Sequence, residues 1–399
     1  MIIMEEFKDA KILVVDDEQH NRDLVKFFLQ QAGFSNFLEA KTASEALDLA
    51  LNNIPDIIFL DIQLEEDSGF DVCKELKTNA KTKDIPILFL SAFSETENKV
   101  TGYKLGAVDF VHKPINHYEL MARTRVHLKN GQLLKELQSY QARTSHELEK
   151  AKKTQNSIMP SKKQLKAIQD NHGLQIESIF KSSSELAGDY WKAMELDDNN
   201  VLFILADFSG HGVYSALNTV RLDLLIAQAD PAVLLEPKKA IKYLNTALKE
   251  ALPSDEFCAM VYLVLNTKTG NAEYVASNSP DLFVLKDDGS EPYALTGRGF
   301  PLGLVKHLED TDFTHQTIHL DIGDTLIGYS DALTEETHKD GSRWLDDGLL
   351  KMLKEAQADD SDKTKFEYLI EKFDSTVIKP LTDDLTTVAI TRLDRRSSK

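Results

Sequence analysis

The sequence predicts a multidomain protein: a doubly wound α/β domain on a five-stranded parallel sheet, a helical connector, and a β-rich α+β domain. Three observations carry that expectation. Short apolar runs alternate with amphipathic stretches over residues 11–128, residues 117–159 hold no strand pattern, and from about residue 172 strand signals dominate. The corresponding division is 1–128, then 129–160 for the connector, then 161–399.

In chain order, Lys11–Val15 reads as a buried strand and Asn21–Gly33 as a helix ended by glycine. Thr42-Ala-Ser-Glu45 is a capping box opening a second helix. Asp56–Leu60, Ile85–Leu90 and Asp109–Val111 are further apolar strands. Strands alternating with helices imply right-handed βαβ units, whose ligands sit at the carboxyl ends of the strands. In the connector, spacings of three and four link Leu134, Leu137, Gln141, Thr144, Leu148, Ala151, Gln155 and Ile158, a heptad seam with weak polar positions that predicts a coiled-coil homodimer. Gly131, inside the helical segment, keeps open the alternative of a single helix packed on its own domains, and Pro160 ends the seam. Beyond it, Val201–Leu205, a hairpin from Ala259 to Ser277 around Thr267-Lys-Thr-Gly270, Asp281–Leu285, Thr325–Tyr329 and Thr386–Thr391 read as strands. Gly212–Asp230, Pro237–Leu252 and Lys363–Phe373 read as helices.

Bulk properties narrow the function. Forty-six Lys and Arg against 65 Asp and Glu leave a net charge of −19, the wrong sign for gripping nucleic acid, and no helix-turn-helix is evident. No window approaches 18 consecutive apolar residues, so no membrane span is expected. The widely separated Cys73 and Cys258, and an N-terminus without a secretory pattern, predict a cytoplasmic protein.

In the first domain, strand one ends in Asp16-Asp17, strand three in Asp61, strand four in Ser91, and strand five runs into His112-Lys113-Pro114. With Gly69 eight residues after Asp61 and Phe110 three before Lys113, these residues resemble the CheY-like receiver family, which has a flavodoxin-like fold. The resemblance implies Asp61 as phosphoacceptor, Mg²⁺ held by Asp16, Asp17, Asp61 and the Gln63 carbonyl, and Lys113 and the Ser91 hydroxyl as partners of the phosphoryl group. It also implies a sensor histidine kinase or phosphotransfer protein as donor. Glu65 stands where the family usually has proline.

In the last domain, Asp189 lies in Leu186-Ala-Gly-Asp-Tyr-Trp191, Asp207 in Ala206-Asp-Phe-Ser-Gly-His-Gly212, Asp331 in Gly328-Tyr-Ser-Asp-Ala332, and Asp383 opens Asp383-Asp-Leu-Thr386. Carboxylates gathered at converging strand ends cannot stay ionised without cations, and two Mn²⁺ or Mg²⁺ ions are the natural answer. These segments resemble the SpoIIE-type branch of the protein phosphatase 2C (PPM) family, an αββα sandwich of metal-dependent serine/threonine phosphatases. The lead-in Leu148–Pro160 resembles the helix that precedes that branch. Carried over by position, catalytic Asp207 bridges both metals, Asp331 and Asp383 hold one, Asp189 holds the other, and the Phe208 carbonyl is a further ligand. His211 reads as a variant of the glycine-flanked loop position, with a general acid as the alternative, and Asp384 and Glu335 as residues behind the ligands or solvated. The chain departs from the pattern at Ala187, Ala332 and Ala276-Ser-Asn278; Ala332 carries a Cβ where the family allows positive φ.

Together the resemblances imply a response regulator whose phosphorylation controls a phosphatase through the connector. The implied substrate is a phosphorylated STAS-type anti-sigma-factor antagonist. A non-catalytic adaptor that binds a sigma or anti-sigma factor is the alternative, although such proteins lose metal aspartates and all four stand here. A diguanylate cyclase reading of Ala-Gly-Asp-Tyr fails, because Tyr190-Trp191 replace the required Glu-Phe pair.

Overall fold

The computed structural model describes residues 7–65, 67–92, 96–210, 212–359 and 361–394. The chain divides into two compact units, Met1–Thr144 and Ser145–Lys399.

Unit one alternates strictly: β1 Lys11–Val15, α1 Gln19–Gln31, β2 Asn36–Ala40, α2 Ala43–Asn53, β3 Ile57–Asp61, α3 Gly69–Thr78, β4 Ile87–Ala92, α4 Thr96–Lys104, β5 Asp109–Lys113, then α5 His117–Ile158. The five strands form one parallel sheet in the order β2-β1-β3-β4-β5, the receiver fold that the alternation predicts. Val14, Phe59 and Leu90 face one buried layer while Leu13, Leu60 and Phe89 face the other, so both sheet faces are covered. The Thr42 box is half formed: the Thr42 hydroxyl accepts the Glu45 amide, but the Glu45 carboxylate accepts the Lys41 amide rather than that of Thr42.

Helix α5 runs unbroken for 42 residues, through Gly131 and across the boundary between the units. Leu134 and Leu137 of the seam are about half exposed. Gln155 and Ile158 are not: Gln155 is buried and Ile158 packs on the core of unit two. The polar Gln155 is therefore used inside the chain, because its amide finds backbone partners there.

In unit two, α6 Lys162–His172 is followed by β6 Leu174–Lys181, β7 Asp189–Glu195, β8 Asn200–Phe208, α7 Val213–Gln228, α8 Pro231–Leu234 and α9 Pro237–Ala251. Next come β9 Cys258–Asn266, β10 Asn271–Ser277, β11 Leu282–Leu285, β12 Tyr293–Leu295, β13 Thr314–His319 and β14 Thr325–Tyr329. The unit closes with α10 Ala332–Glu335, α11 Leu345–Ala358, α12 Lys365–Thr376 and β15 Leu385–Arg392. Two antiparallel sheets, β13-β10-β9-β8-β7 and β12-β11-β14-β15-β6, face each other. Trp191, Phe203 and Val261 of the first meet Leu282, Leu326 and Val388 of the second. Helices α7 and α9 cover the first sheet, and α11 and α12 cover the second through Leu349, Leu353, Leu369 and Phe373. This is the four-layer, PP2C-like sandwich. The hairpin turn closes at Gly270 with φ 84°, and a Cβ there would lie 2.4 Å from the Leu320 carbonyl oxygen, so glycine is required.

Candidate functional site

Two acidic sites stand out, one in each unit. In unit one, β1 and β3 are paired in parallel, Val15 beside Leu60, so the residues that follow emerge at the same sheet edge. One carboxylate oxygen from each of Asp16, Asp17 and Asp61 lies within 4.8 Å of the others. Lys113, at the end of β5, places its Nζ 2.9 Å from Asp16 Oδ2 and 2.8 Å from Asp61 Oδ2. Asp16 is fully buried, and its Oδ1 also accepts from the Glu18 amide and the Asn21 carboxamide, each at 3.0 Å. Burial raises the Asp61 carboxyl above its ordinary pKa, and Lys113 opposes that rise. Burial pulls the Lys113 ammonium down, yet its bonds to the two carboxylates leave its pKa above the usual value.

Around this cluster, the buried Ser91 hydroxyl makes no hydrogen bond to a described group. Phe110 is packed inward, its ring 5.5 Å from Phe89 and 5.1 Å from Tyr103. Gly69 is dictated by space: a Cβ would sit 2.0 Å from the Asp61 carbonyl oxygen. Its amide donates to Ile62 O at 2.8 Å, and Gln63 bridges Ser68, closing the loop that carries Glu65. The oxygen-only donor set beside a lysine fits a hard divalent cation.

In unit two, Asp189 and Asp207 are cross-strand partners on β7 and β8. Asp331 follows β14 and Asp383 precedes β15, and those strands pair, Tyr329 beside Thr387. Asp207, Phe208, Asp331 and Asp383 line a cavity of about 630 Å³ together with Asp281 and Glu335. No Lys, Arg or His among the described residues lines it. Burial, then the charges of Asp331 and Asp383, push Asp207 up to about 8. Burial and Asp383 lift Asp331 to about 6. Asp189 lies behind the lining, 2 % exposed, accepting a hydrogen bond from the Thr386 hydroxyl; burial and Asp207 raise its pKa. No three carboxylates of this cavity approach within 4.8 Å; among the described residues that closeness occurs only at Asp16, Asp17 and Asp61. A hard-oxygen set with raised pKa values and no internal counter-charge fits divalent cations.

Several residues position the aspartates. Asp384 accepts from the Ser183 amide at 2.7 Å and the Gly188 amide at 2.6 Å, holding the loop before Asp189. A Cβ on Gly188 would lie 3.0 Å from the Phe208 carbonyl oxygen. Gln155 grips the neighbouring Ala187, donating to its carbonyl at 2.6 Å and accepting from its amide at 3.2 Å. Ser330 donates to Asp384 O and accepts the Thr386 amide, each at 2.9 Å. Buried Glu336 accepts the Asp383 amide at 3.0 Å and also binds Thr382. Tyr190 and Lys192 tie β7 to Asp223 on α7.

Sequence reasoning placed Asp384 behind the ligands but missed Glu336, which follows Glu335 with no local signal to set it apart. Gln155 was legible only as a seam position. Ala332 opens α10 and is not among the residues of positive φ, so its Cβ causes no strain. Asn278 is the departure that adopts a left-handed backbone, at φ 57°, and it lines the cavity. His211 lies outside the described residues.

Comparison with known proteins agrees with both geometries. Residues 12–125 match the response regulator receiver domain family, and residues 197–393 match the Stage II sporulation protein E (SpoIIE) family. Among curated relatives, the transcriptional regulatory protein YvrH of Bacillus subtilis is 39 % identical over 137 residues, 34 % of this chain and 56 % of the relative. The phosphate regulon transcriptional regulatory protein PhoB of Pseudomonas aeruginosa is 38 % identical over 118 residues, 30 % of this chain and 51 % of the relative. The chain thus spans about half the length of the curated relatives it matches. Among solved structures, the SiaA-PP2C domain of Pseudomonas aeruginosa has the same fold, with TM-score 0.54 and 20 % identity over 64 % of this chain and 99 % of that one.

Proposed function

We propose, from a chain that joins a response regulator receiver domain to a SpoIIE-type, PP2C-like domain, that phosphorylation of Asp61 controls a divalent-cation-dependent phosphoserine/phosphothreonine protein phosphatase. The observation that carries this reading is the cavity where Asp207, Asp331 and Asp383 converge with no Lys, Arg or His in its described lining, Asp207 rising to about 8. PP2C-type phosphatases use divalent metals generally. Here Asp207, Asp331, Asp383 and Asp189 would hold two such ions, with the Phe208 carbonyl as a further ligand. When bound, such ions supply Lewis-acid polarisation of a phosphate ester and of the water that attacks it. The protein's own part is to hold the carboxylates aimed, through Thr386, Ser330, Asp384 and Glu336.

A receiver domain takes its phosphoryl group from a kinase or phosphotransfer partner. Asp61 attacks the phosphorus of the donor's phosphoimidazole, and the imidazole leaves; Lys113 and the Ser91 hydroxyl donate hydrogen bonds to the phosphoryl oxygens, and Asp16, Asp17, Asp61 and the Gln63 carbonyl would hold a Mg²⁺ ion, which when bound would offset the added charge. The added charge of about −1.5 to −2 reorganises the face containing Phe110, which leads into α5. The far end of α5 carries Gln155, whose amide holds Ala187 two residues before Asp189, so a shift of the helix would reach the cavity. We take the substrate to be a phosphorylated STAS-type anti-sigma-factor antagonist, the protein to act as a cytoplasmic homodimer paired along α5, and the working division to be 1–128, 129–160 and 161–399.

The test is Mn²⁺-dependent hydrolysis of p-nitrophenyl phosphate and of a phosphoserine STAS protein by the full chain. Asp207→Asn should lower kcat by about a thousandfold or more. Absence of metal-dependent hydrolysis in the unmodified chain, with and without acyl-phosphate loading, would overturn the enzyme reading. It would favour the non-catalytic adaptor, a reading to which the absence, among the described residues, of any three cavity carboxylates within 4.8 Å of one another also gives weight.

A further inference from the structure

Unit two also holds a cleft of about 670 Å³ that shares no lining residue with the acidic cavity and has the opposite character. Its walls come from the end of α5 and the turn after it (Lys152, Asn156, Met159), from β6 and the following loop (Phe180, Lys181, Ser182, Ser183), from Trp191, and from Lys379 to Leu381. Among the described residues, three lysines line it and no acid does, within a chain of net charge −19. One described carboxylate attends them from outside the lining: Asp374 accepts from Lys181 Nζ at 3.0 Å and lies 3.1 Å from Lys379 Nζ. Two ammonium groups thus share one negative charge. Lys152 has a hydroxyl as its hydrogen-bond partner, its Nζ 2.6 Å from Ser182 Oγ.

We propose that this cleft binds a small phosphorylated anion with an apolar or aromatic body, the chemistry of a nucleotide. The lysines supply the excess charge and the donors that phosphate oxygens accept from, and Ser182 adds a hydroxyl beside them. Trp191, Phe180, Met159, Pro380 and Leu381 supply an apolar wall, so the cleft pairs a charged end with a stacking or packing surface. Its volume lies in the range of small-molecule sites and far above what one inorganic phosphate would fill. A ligand here would touch two segments that run directly into the acidic cavity: Ser183 is bonded to Asp384, and Leu381 precedes the Thr382-Asp383 pair held by Glu336.

Trp191 makes the proposal measurable, because the chain has two tryptophans and Trp344→Phe leaves Trp191 as sole reporter. The full-length Trp344→Phe protein is titrated with adenosine triphosphate in EDTA, which keeps both acidic sites from recruiting phosphate through a metal. A saturable change in Trp191 emission is expected, with adenosine giving none and inorganic tripolyphosphate binding more weakly. Lys152→Gln with Lys379→Gln should weaken adenosine triphosphate by about tenfold or more, whereas Lys166→Gln, on exposed α6, should not. Calorimetry on the chain with both tryptophans gives the same comparison if the reporter variant folds poorly. No saturable binding, or binding undiminished in the double variant, overturns the site; equal affinity for tripolyphosphate overturns the role of the apolar wall.

Discussion

In the receiver, three carboxylates come within 4.8 Å of one another, whereas among the described residues of the cavity around Asp207 no three do, although more acids line it. The difference is Lys113. Its ammonium touches both Asp16 and Asp61, so part of their charge is neutralised before any ion binds. The cavity around Asp207 has no lysine, arginine or histidine in its described lining, and its aspartates answer by holding protons, at about 8 for Asp207 and about 6 for Asp331. A built-in cation lets an acidic site stand assembled; without one, protons or metal ions must do the same work.

Three measurements would break or sharpen that contrast. The largest effect concerns pH in the metal-free chain. Asp207 has a folded pKa of about 8 against an ordinary 3.8, so the folded state binds the extra proton between those values. Stability from this group is complete at low pH and lost as pH rises through about 8, on the order of several kcal/mol for the phosphatase unit. Thermal unfolding at pH 5, 7 and 9 should show the decline in EDTA and its disappearance in Mn²⁺; a flat profile in EDTA would remove the electrostatic contrast. Next, Gly69→Ala forces a Cβ to 2.0 Å from Asp61 O and should destabilise the receiver by about 3 kcal/mol, with slower labelling by acetyl phosphate. Urea denaturation followed through the receiver checks it, and the phosphatase transition should not move. Smallest, Gln155→Ala leaves the Ala187 amide and carbonyl without their partner and should cost about 1–2 kcal/mol in the phosphatase unit. It should also weaken the response of phosphatase activity to acyl-phosphate loading. An unchanged response would mean that α5 acts elsewhere.

Much of this was legible along the chain. Strand ends rich in aspartate announced both sites, because a buried apolar strand that stops at an acid must deliver that acid to a sheet edge. Thr325–Tyr329 was read to the residue, and the hairpin around Gly270 was plain from its turn. Edge strands with little apolar patterning, such as Asn36–Ala40 and Thr314–His319, were not seen, since half-exposed strands carry a weak periodic signal. Leu345–Ala358 escaped for lack of a capping side chain at its start.

The sequence by itself determined the two folds and the identity of the acids at their strand ends, because periodicity and strand-terminal chemistry are local properties. Only the tertiary structure decided which groups stand between those acids. Lys113 reaches Asp16 across 97 residues, Asp384 reaches Gly188 across 196, and Gln155 leaves the predicted seam to hold Ala187. Such partners are chosen by the sheet order and helix packing that bring distant segments together, and hydrogen bonding and charge act over distances in space that spacing along the chain does not record.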